Sequence, residues 1–132
     1  MAALAHDLSE KRSVSTTLLH YPSFVLDVKN AISSGLVKEK IDQVKTAQVL
    51  ILDDIGAEQS SPWMRDEILQ VILQHRMQEN LPTFFTSNFS FADLERHFAS
   101  SKNGDETWQA KRVMERIKFL AQEVRLEGEN RR

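Results

Sequence analysis

Apolar and polar positions along the chain switch repeatedly between a helical and an extended period. Met1, Leu4, Ala5 and Leu8 fall at helical spacing, so residues 1 to about 12 read as a helix, one that starts without an N-cap residue. Residues 14–20, VSTTLLH, are rich in β-branched side chains and read as a strand. Tyr21-Pro22 breaks it. Ser23 is placed to cap a helix carrying Phe24, Val25, Val28 and Ile32, and Gly35 is placed to end that helix. Residues 36–44 continue as a charged helical stretch.

Residues 49–54, VLILDD, form a continuous apolar run closed by two acids, the pattern of a strand buried on both faces. After the turn IGAEQSS, Pro62 sits at the first position of a helix reaching about Asn80. Its expected buried stripe is Met64, Ile68, Leu69, Ile72, Leu73 and Met77, and Pro82 stops it. Residues 83–88, TFFTSN, are a further strand with a polar end. Ser90 and Asp93 make a Ser-x-x-Asp capping box for a helix through His97 and Phe98. Residues 101–106 read as a loop, 108–117 as a helix and 119–126 as a last strand. Strands alternating with helices predict an α/β fold, a parallel sheet inside three αβα layers. A chain of 132 residues fits one compact domain or most of one, and no repeat, low-complexity segment or interdomain linker divides it.

Composition narrows the function classes. Hydrophobic residues at 41% and charged residues at 27% are ordinary for a soluble globular protein with a real core. Seventeen Lys and Arg against nineteen Asp and Glu give a net charge of −2, so any nucleic-acid contact has to come from a local patch. With no cysteine, disulfides, thiolate metal sites and cysteine nucleophiles are excluded together, which fits a cytoplasmic protein. No stretch is long and apolar enough to span a membrane, and residues 1–12 lack the pattern of a signal peptide. His6, His20, His75 and His97 include no pair at helical ligand spacing and read as surface or core-edge residues.

Candidate chemistry begins with Asp53 and Asp54. Ligands of open α/β sheets gather at the carboxyl ends of the strands, where this pair is expected. Four apolar residues followed by two acids is the Walker B arrangement, in which the first acid holds Mg²⁺, directly or through water, and the second orients or deprotonates the attacking water. The same hexapeptide also fits an acidic turn after a buried strand. A phosphorelay receiver is disfavoured, because the next strand ends in Thr86-Ser87-Asn88 with no acid. Asn88, at the tip of that strand, has a donor and an acceptor to offer a γ-phosphate or a water, the role called sensor 1 in AAA+ proteins. Turn chemistry alone also favours Asn and Ser there.

Arg112 and Arg116 stand one helical turn apart in AKRVMERIKF. They read either as a solvated charged face or as an arginine finger, a guanidinium that reaches the γ-phosphate held by a neighbouring subunit. Arg125, Arg131 and Arg132, with Lys111 and Lys118, make the last quarter locally basic, suited to DNA phosphates or to an ordinary charged tail.

Taken together, VSTTLLHYPSF, VLILDDIGAE, MRDEILQVILQHRM, LPTFFTSNFSFADLE and ETWQAKRVMERI closely resemble the AAA+ domain of primosomal helicase loaders of the DnaI/DnaC type, over nearly the whole chain. The resemblance implies an ATPase using ATP and Mg²⁺. In it Asp53 is the Mg²⁺ partner and Asp54 the second Walker B acid. Asn88 is sensor 1, Arg116 is the finger with Arg112 beside it, and Arg131 is a sensor 2 arginine. It further implies loading of the hexameric replicative helicase onto single-stranded DNA, and self-association through AAA+ interfaces.

One departure from that family stands out. None of Gly35, Gly56, Gly104 and Gly128 lies in a Gly-x-x-x-x-Gly-Lys-Ser/Thr loop, so the phosphate cradle and its lysine are absent from this sequence, as is the family's N-terminal helicase-binding domain. Met1 is therefore expected to be an internal methionine of a longer protein or the start of a truncated product. This polypeptide alone is expected to bind ATP very weakly and hydrolyse none. Two alternatives remain open here: a transposition helper ATPase of the IstB type, and a non-catalytic remnant that keeps binding contacts.

Overall fold

A computed structural model describes residues 15–59, 61–100, 104 and 106–121. The expected helix over residues 1–12 lies outside them, as do Arg125, Arg131 and Arg132. Three strands, β1 (Thr16–His20), β2 (Val49–Asp53) and β3 (Thr83–Phe85), form a sheet in the order β1-β2-β3. Both pairings are parallel, as the alternation of strands and helices predicts, with His20 opposite Asp53 and Leu52 opposite Phe85. Val49, Leu50, Ile51 and Leu52 are all buried, so β2 is covered on both faces.

α1 (Tyr21–Ala31) starts directly after β1. His20 is its N-cap residue and Pro22 lies in its first turn, where a missing N–H costs nothing. Ser23 is therefore not the cap. It sits inside the first turn, with its hydroxyl 2.9 Å from His20 Nδ1. Ile32, expected in the core, is exposed, and Ala31 faces inward instead. Gly35 ends the helix as expected. At φ 75° it lets Leu36 N–H reach Ala31 O while its own N–H reaches Ile32 O. α2 (Val37–Lys45) follows.

After β2, a π-helical turn (Met64–Leu69) runs into α3 (Gln70–Gln78). Met64, Ile68, Leu69, Ile72 and Leu73 are buried as the stripe predicts, but Met77 is only half-buried. Arg76 takes the inward place and is fully buried. Its guanidinium donates to Thr83 Oγ1 at 2.8 Å, Ala47 O at 2.6 Å and Pro82 O at 2.7 Å, with longer bonds to Val44 O and Lys45 O. One side chain thus ties together the entries to β2 and β3. Arg65, also buried, ties the π-helical turn to the two helices that follow β3. It donates to Phe98 O at 2.8 Å and pairs with Asp66 and Glu106.

α4 (Phe91–Ala99) opens with the expected cap, Ser90 Oγ accepting from Asp93 N–H at 3.1 Å. α5 (Thr107–Ala121) overturns the strand expected from residue 119. Residues 119–121 complete the helix, because Val113, Met114, Ile117 and Ala121 keep a 3.6-residue rhythm of burial while Phe119 faces out. Residues 122–126 lie outside the described part.

Candidate active site

Parallel pairing brings three strand tips to one edge. They are His20 from β1, Asp53 and Asp54 from β2, and Thr86 with Ser87 and Asn88 from β3. Regular pairing stops at Phe85, yet the ladder continues through Thr86. Thr86 N–H donates to Leu52 O at 3.0 Å and Ile55 N–H donates to Thr86 O at 2.9 Å. Between those two bonds the chain turns sharply. Asp54 adopts φ 63° and Gly56 φ 105°. Asp54 is thus not the last residue of the strand, as the sequence suggested, but the first of a left-handed turn, a conformation that costs most side chains about 1 kcal/mol or more and Asp less.

Hydrogen bonds compensate for that turn. Thr86 Oγ1 donates to Asp53 Oδ1 at 2.6 Å and accepts Asp54 N–H at 2.8 Å. Ser87 Oγ donates to Ile55 O at 2.5 Å. Glu58 Oε1 accepts Gly56 N–H at 2.8 Å. The result is two adjacent half-exposed carboxylates held on a fixed backbone. Their nearest basic partner is His20, whose Nε2 lies 3.5 Å from Asp54 Oδ2 while both side chains remain solvent-accessible.

No group of three or more His, Cys, Asp or Glu side chains forms a metal cage among the described residues. That donor set suits Mg²⁺, which keeps several waters and is held by one or two carboxylates together with substrate phosphates. Asp53 uses one oxygen on Thr86 and leaves Oδ2 for a cation or its water shell.

Asn88 is exposed, two residues beyond Thr86, and its side chain makes no hydrogen bond to another described residue. The structure brings its strand tip to the acid turn without tying its amide to either acid. Arg112 and Arg116 lie elsewhere. Arg116 Nε donates to Gln74 Oε1 at 2.7 Å, and Arg112 stacks over Trp108 with its guanidinium 5.6 Å from the ring centroid. Both line an open groove with Lys45, Gln74 and Gln78. The groove runs along α3, from Gln70 at its start to Gln78 at its end, where Lys45 marks the entry to β2. A five-residue strand, roughly 17 Å, separates that entry from the acid pair. Among the described residues neither arginine makes a hydrogen bond or ion pair with Asp53 or Asp54. Arg131 lies outside the described residues.

The sequence reading passed over three participants. The sequence places Thr86 only in the polar end of a strand and His20 only among surface or core-edge histidines, and it assigns Glu58 no role. His20 was recoverable, since parallel register sets the end of β1 beside the end of β2. Glu58 was not, since its partner His97 is 39 positions away.

Over residues 3–132 the chain matches the family described as IstB-like ATP binding protein. It is 49% identical over 133 residues to the replicative helicase loader DnaI of Bacillus subtilis (strain 168), covering 100% of this chain and 42% of that protein. Among solved structures it is similar to a protein of Streptococcus pyogenes serotype M3 described as a primosome component, with 65% identity, a TM-score of 0.71, and 91% of this chain and 56% of that one covered. It is also similar to DnaI, with 43% identity and a TM-score of 0.80 over 91% of this chain and 61% of that one. The DnaC helicase loader shares the fold, at a TM-score of 0.71 and 22% identity. The chain thus spans less than half the length of the curated relative it matches.

Proposed function

Because the chain belongs to the IstB-like ATP-binding protein family, we propose that it is part of an ATPase that loads the hexameric replicative helicase onto single-stranded DNA. The carrying observation is the acid turn, Asp53 and Asp54 fixed by Thr86 at the carboxyl edge of a parallel sheet. Bound Mg²⁺–ATP supplies the electrophilic γ-phosphoryl group. Asp53, with one oxygen free, holds the cation or its water shell. Asp54, set at a rigid turn, orients the attacking water and takes up its proton. Asn88 offers its amide to the phosphate or the water from the neighbouring tip.

Arg116, with Arg112 beside it, acts on the site of a neighbouring copy. The anchoring of Arg116 on Gln74, and not on either acid of its own chain, supports this reading, which requires self-association. Arg131 is assigned to the nucleotide as well, on the resemblance alone. The phosphate-binding loop that such a site needs is not in this sequence, so this polypeptide by itself is expected to bind ATP weakly. A cytoplasmic setting follows from the proposed role, and no described helix is long and apolar enough to cross a membrane.

The names of the relatives favour loading over transposition, since those at 49% and 65% identity are a helicase loader and a primosome component. The test is delivery of the replicative helicase to closed circular single-stranded DNA, followed by strand displacement. In the protein as the cell makes it, delivery is expected to require ATP and to fail with Asp54→Asn. Delivery indifferent to both ATP and that substitution overturns the reading.

A further inference from the structure

Glu58 and His97 form the most enclosed acid–base contact near the acid turn. Their side chains are 6% and 13% exposed, and His97 Nε2 lies 2.8 Å from Glu58 Oε2. A carboxylate only accepts, so Nε2–H is the donor. The other carboxylate oxygen is also engaged, accepting Gly56 N–H at 2.8 Å. Glu58 is therefore a bridge, with the turn that carries Asp54 on one side and α4 on the other.

The aromatic packing closes the same loop. The His97 ring meets Phe89 edge-on at 5.9 Å and Phe98 at 5.3 Å. Phe89 lies against Gly56 so closely that a Cβ there would stand 2.9 Å from its ring. Asn88 immediately precedes Phe89, and α4 starts two residues after it. Gly56, Glu58, His97 and Phe89 thus make a closed circuit joining the backbone of Asp54 to that of Asn88. Glu58 reaches further still. Tyr21, fully buried at the start of α1, has its hydroxyl pKa pushed well up, first by burial and then by the negative charge of Glu58.

We propose that Glu58 and His97 are positioning residues, a buried latch that holds Asp54 and Asn88 in the register needed to act on the same phosphate. The proposal rests on the ATPase reading above. Neither residue touches the reacting atoms. Their effect is to remove slack between two strand tips, and slack on the order of 1 Å between catalytic groups costs up to about a hundredfold in rate.

The decisive variants are His97→Leu, which keeps bulk and loses the donor, and His97→Gln, whose amide can still donate to Glu58. In the protein as the cell makes it, His97→Leu is expected to lower kcat for ATP hydrolysis roughly ten- to a hundredfold, with KM changed less than about twofold, and His97→Gln to restore most of it. A second readout does not depend on turnover. Exchange of the Gly56 amide hydrogen should quicken at least about tenfold in His97→Leu and stay near wild type in His97→Gln, because the Gly56 bond is made to an acceptor that His97 holds still. Equal loss in both variants, or a loss that tracks only the melting temperature, overturns the latch. So does unchanged Gly56 exchange in His97→Leu. A wild-type protein with no ATP hydrolysis sinks the ATPase reading instead, and the exchange comparison still decides the latch.

Discussion

The hydroxyl of Thr86 donates to Asp53 across 33 positions of sequence at 2.6 Å, and through the same oxygen it accepts the backbone N–H of Asp54. One atom therefore fixes a side chain and a main chain on successive residues. Thr86→Val keeps the shape and removes both bonds, leaving the Asp54 N–H without its acceptor. The expected cost is about 1 to 3 kcal/mol in urea unfolding, accompanied, in the protein as the cell makes it, by slower ATP turnover. Thr86→Ser keeps the hydroxyl and should recover most of both. Equal behaviour of Val and Ser would show that the hydroxyl is not what fixes the turn.

Asp54 offers an unusually clean substitution. Its φ of 63° is one that Asn tolerates nearly as well as Asp, so Asp54→Asn leaves the backbone without added strain. What changes is the ability to take up a proton. In the protein as the cell makes it, turnover is expected to vanish while nucleotide affinity stays within about threefold, measured by titration with a non-hydrolysable analogue. Asp53→Asn is expected to differ, weakening the Mg²⁺ dependence of binding as well. Similar profiles for the two variants would mean that the two acids share one role.

Much of this was legible along the chain because it rests on local rules. Val49 to Leu52 followed by Asp53 and Asp54 can hardly be anything but a buried strand with acids at its tip. Ser90 and Asp93 announce their helix by spacing, and Gly35 marks an end by its freedom at positive φ. What escaped was set by contacts distant in sequence. Apolar periodicity put Met77 inward, yet Arg76 is buried, because the carbonyls of Val44, Lys45, Ala47 and Pro82 happen to converge on it. Likewise residues 119–126 read as a strand, and the burial of Ala121 in step with Val113, Met114 and Ile117 shows the helix continuing to residue 121.

Arg76 sets two opposed energies against each other. Burial pulls the pKa of its guanidinium down to about 10, still charged at neutral pH. Removing it relieves the burial of a charge but leaves the carbonyls of Lys45 and Ala47 without another donor among the described residues and takes one from Val44 O, Pro82 O and Thr83, at about 1 to 3 kcal/mol for each group left unpaired. The second effect is larger. Arg76→Met is expected to destabilise by about 2 to 4 kcal/mol in denaturant melts. The sign with pH follows from the lowered pKa. The deficit should be flat between pH 6 and 9 and should widen only above pH 10, where the wild type sheds the buried charge before its unfolded chain does.

Gly56 combines a conformation and a contact that both forbid a side chain. At φ 105° an L-residue is strained, and a Cβ would stand 2.9 Å from the Phe89 ring and 3.0 Å from Leu94. Gly56→Ala is expected to cost about 2 to 4 kcal/mol. Adding Phe89→Leu relieves part of the crowding but none of the backbone strain, so the double variant should recover only a fraction. Full recovery would show that crowding alone makes glycine necessary here.

Arg116 tests whether the site is shared between copies. Its guanidinium is anchored on Gln74 at 2.7 Å, away from any bond to Asp54 among the described residues. If it completes a neighbour's site, Arg116→Ala should cut ATP hydrolysis by about 10³ to 10⁵, as in-trans fingers do elsewhere, while leaving each copy's acid turn intact. Arg116→Lys should not rescue, since a point charge lacks the planar fork. The informative experiment is mixing. Arg116→Ala supplies good acids and no finger, whereas Asp54→Asn supplies a good finger and a dead acid turn. Each is inactive alone, but mixed assemblies contain junctions with an intact Asp54 facing an intact Arg116. Activity should therefore appear on mixing, rise with the fraction of such junctions, and fall on dilution below the dissociation constant of the assembly. Persistent inactivity of the mixture, with assembly confirmed by light scattering, would remove Arg116 from the reaction.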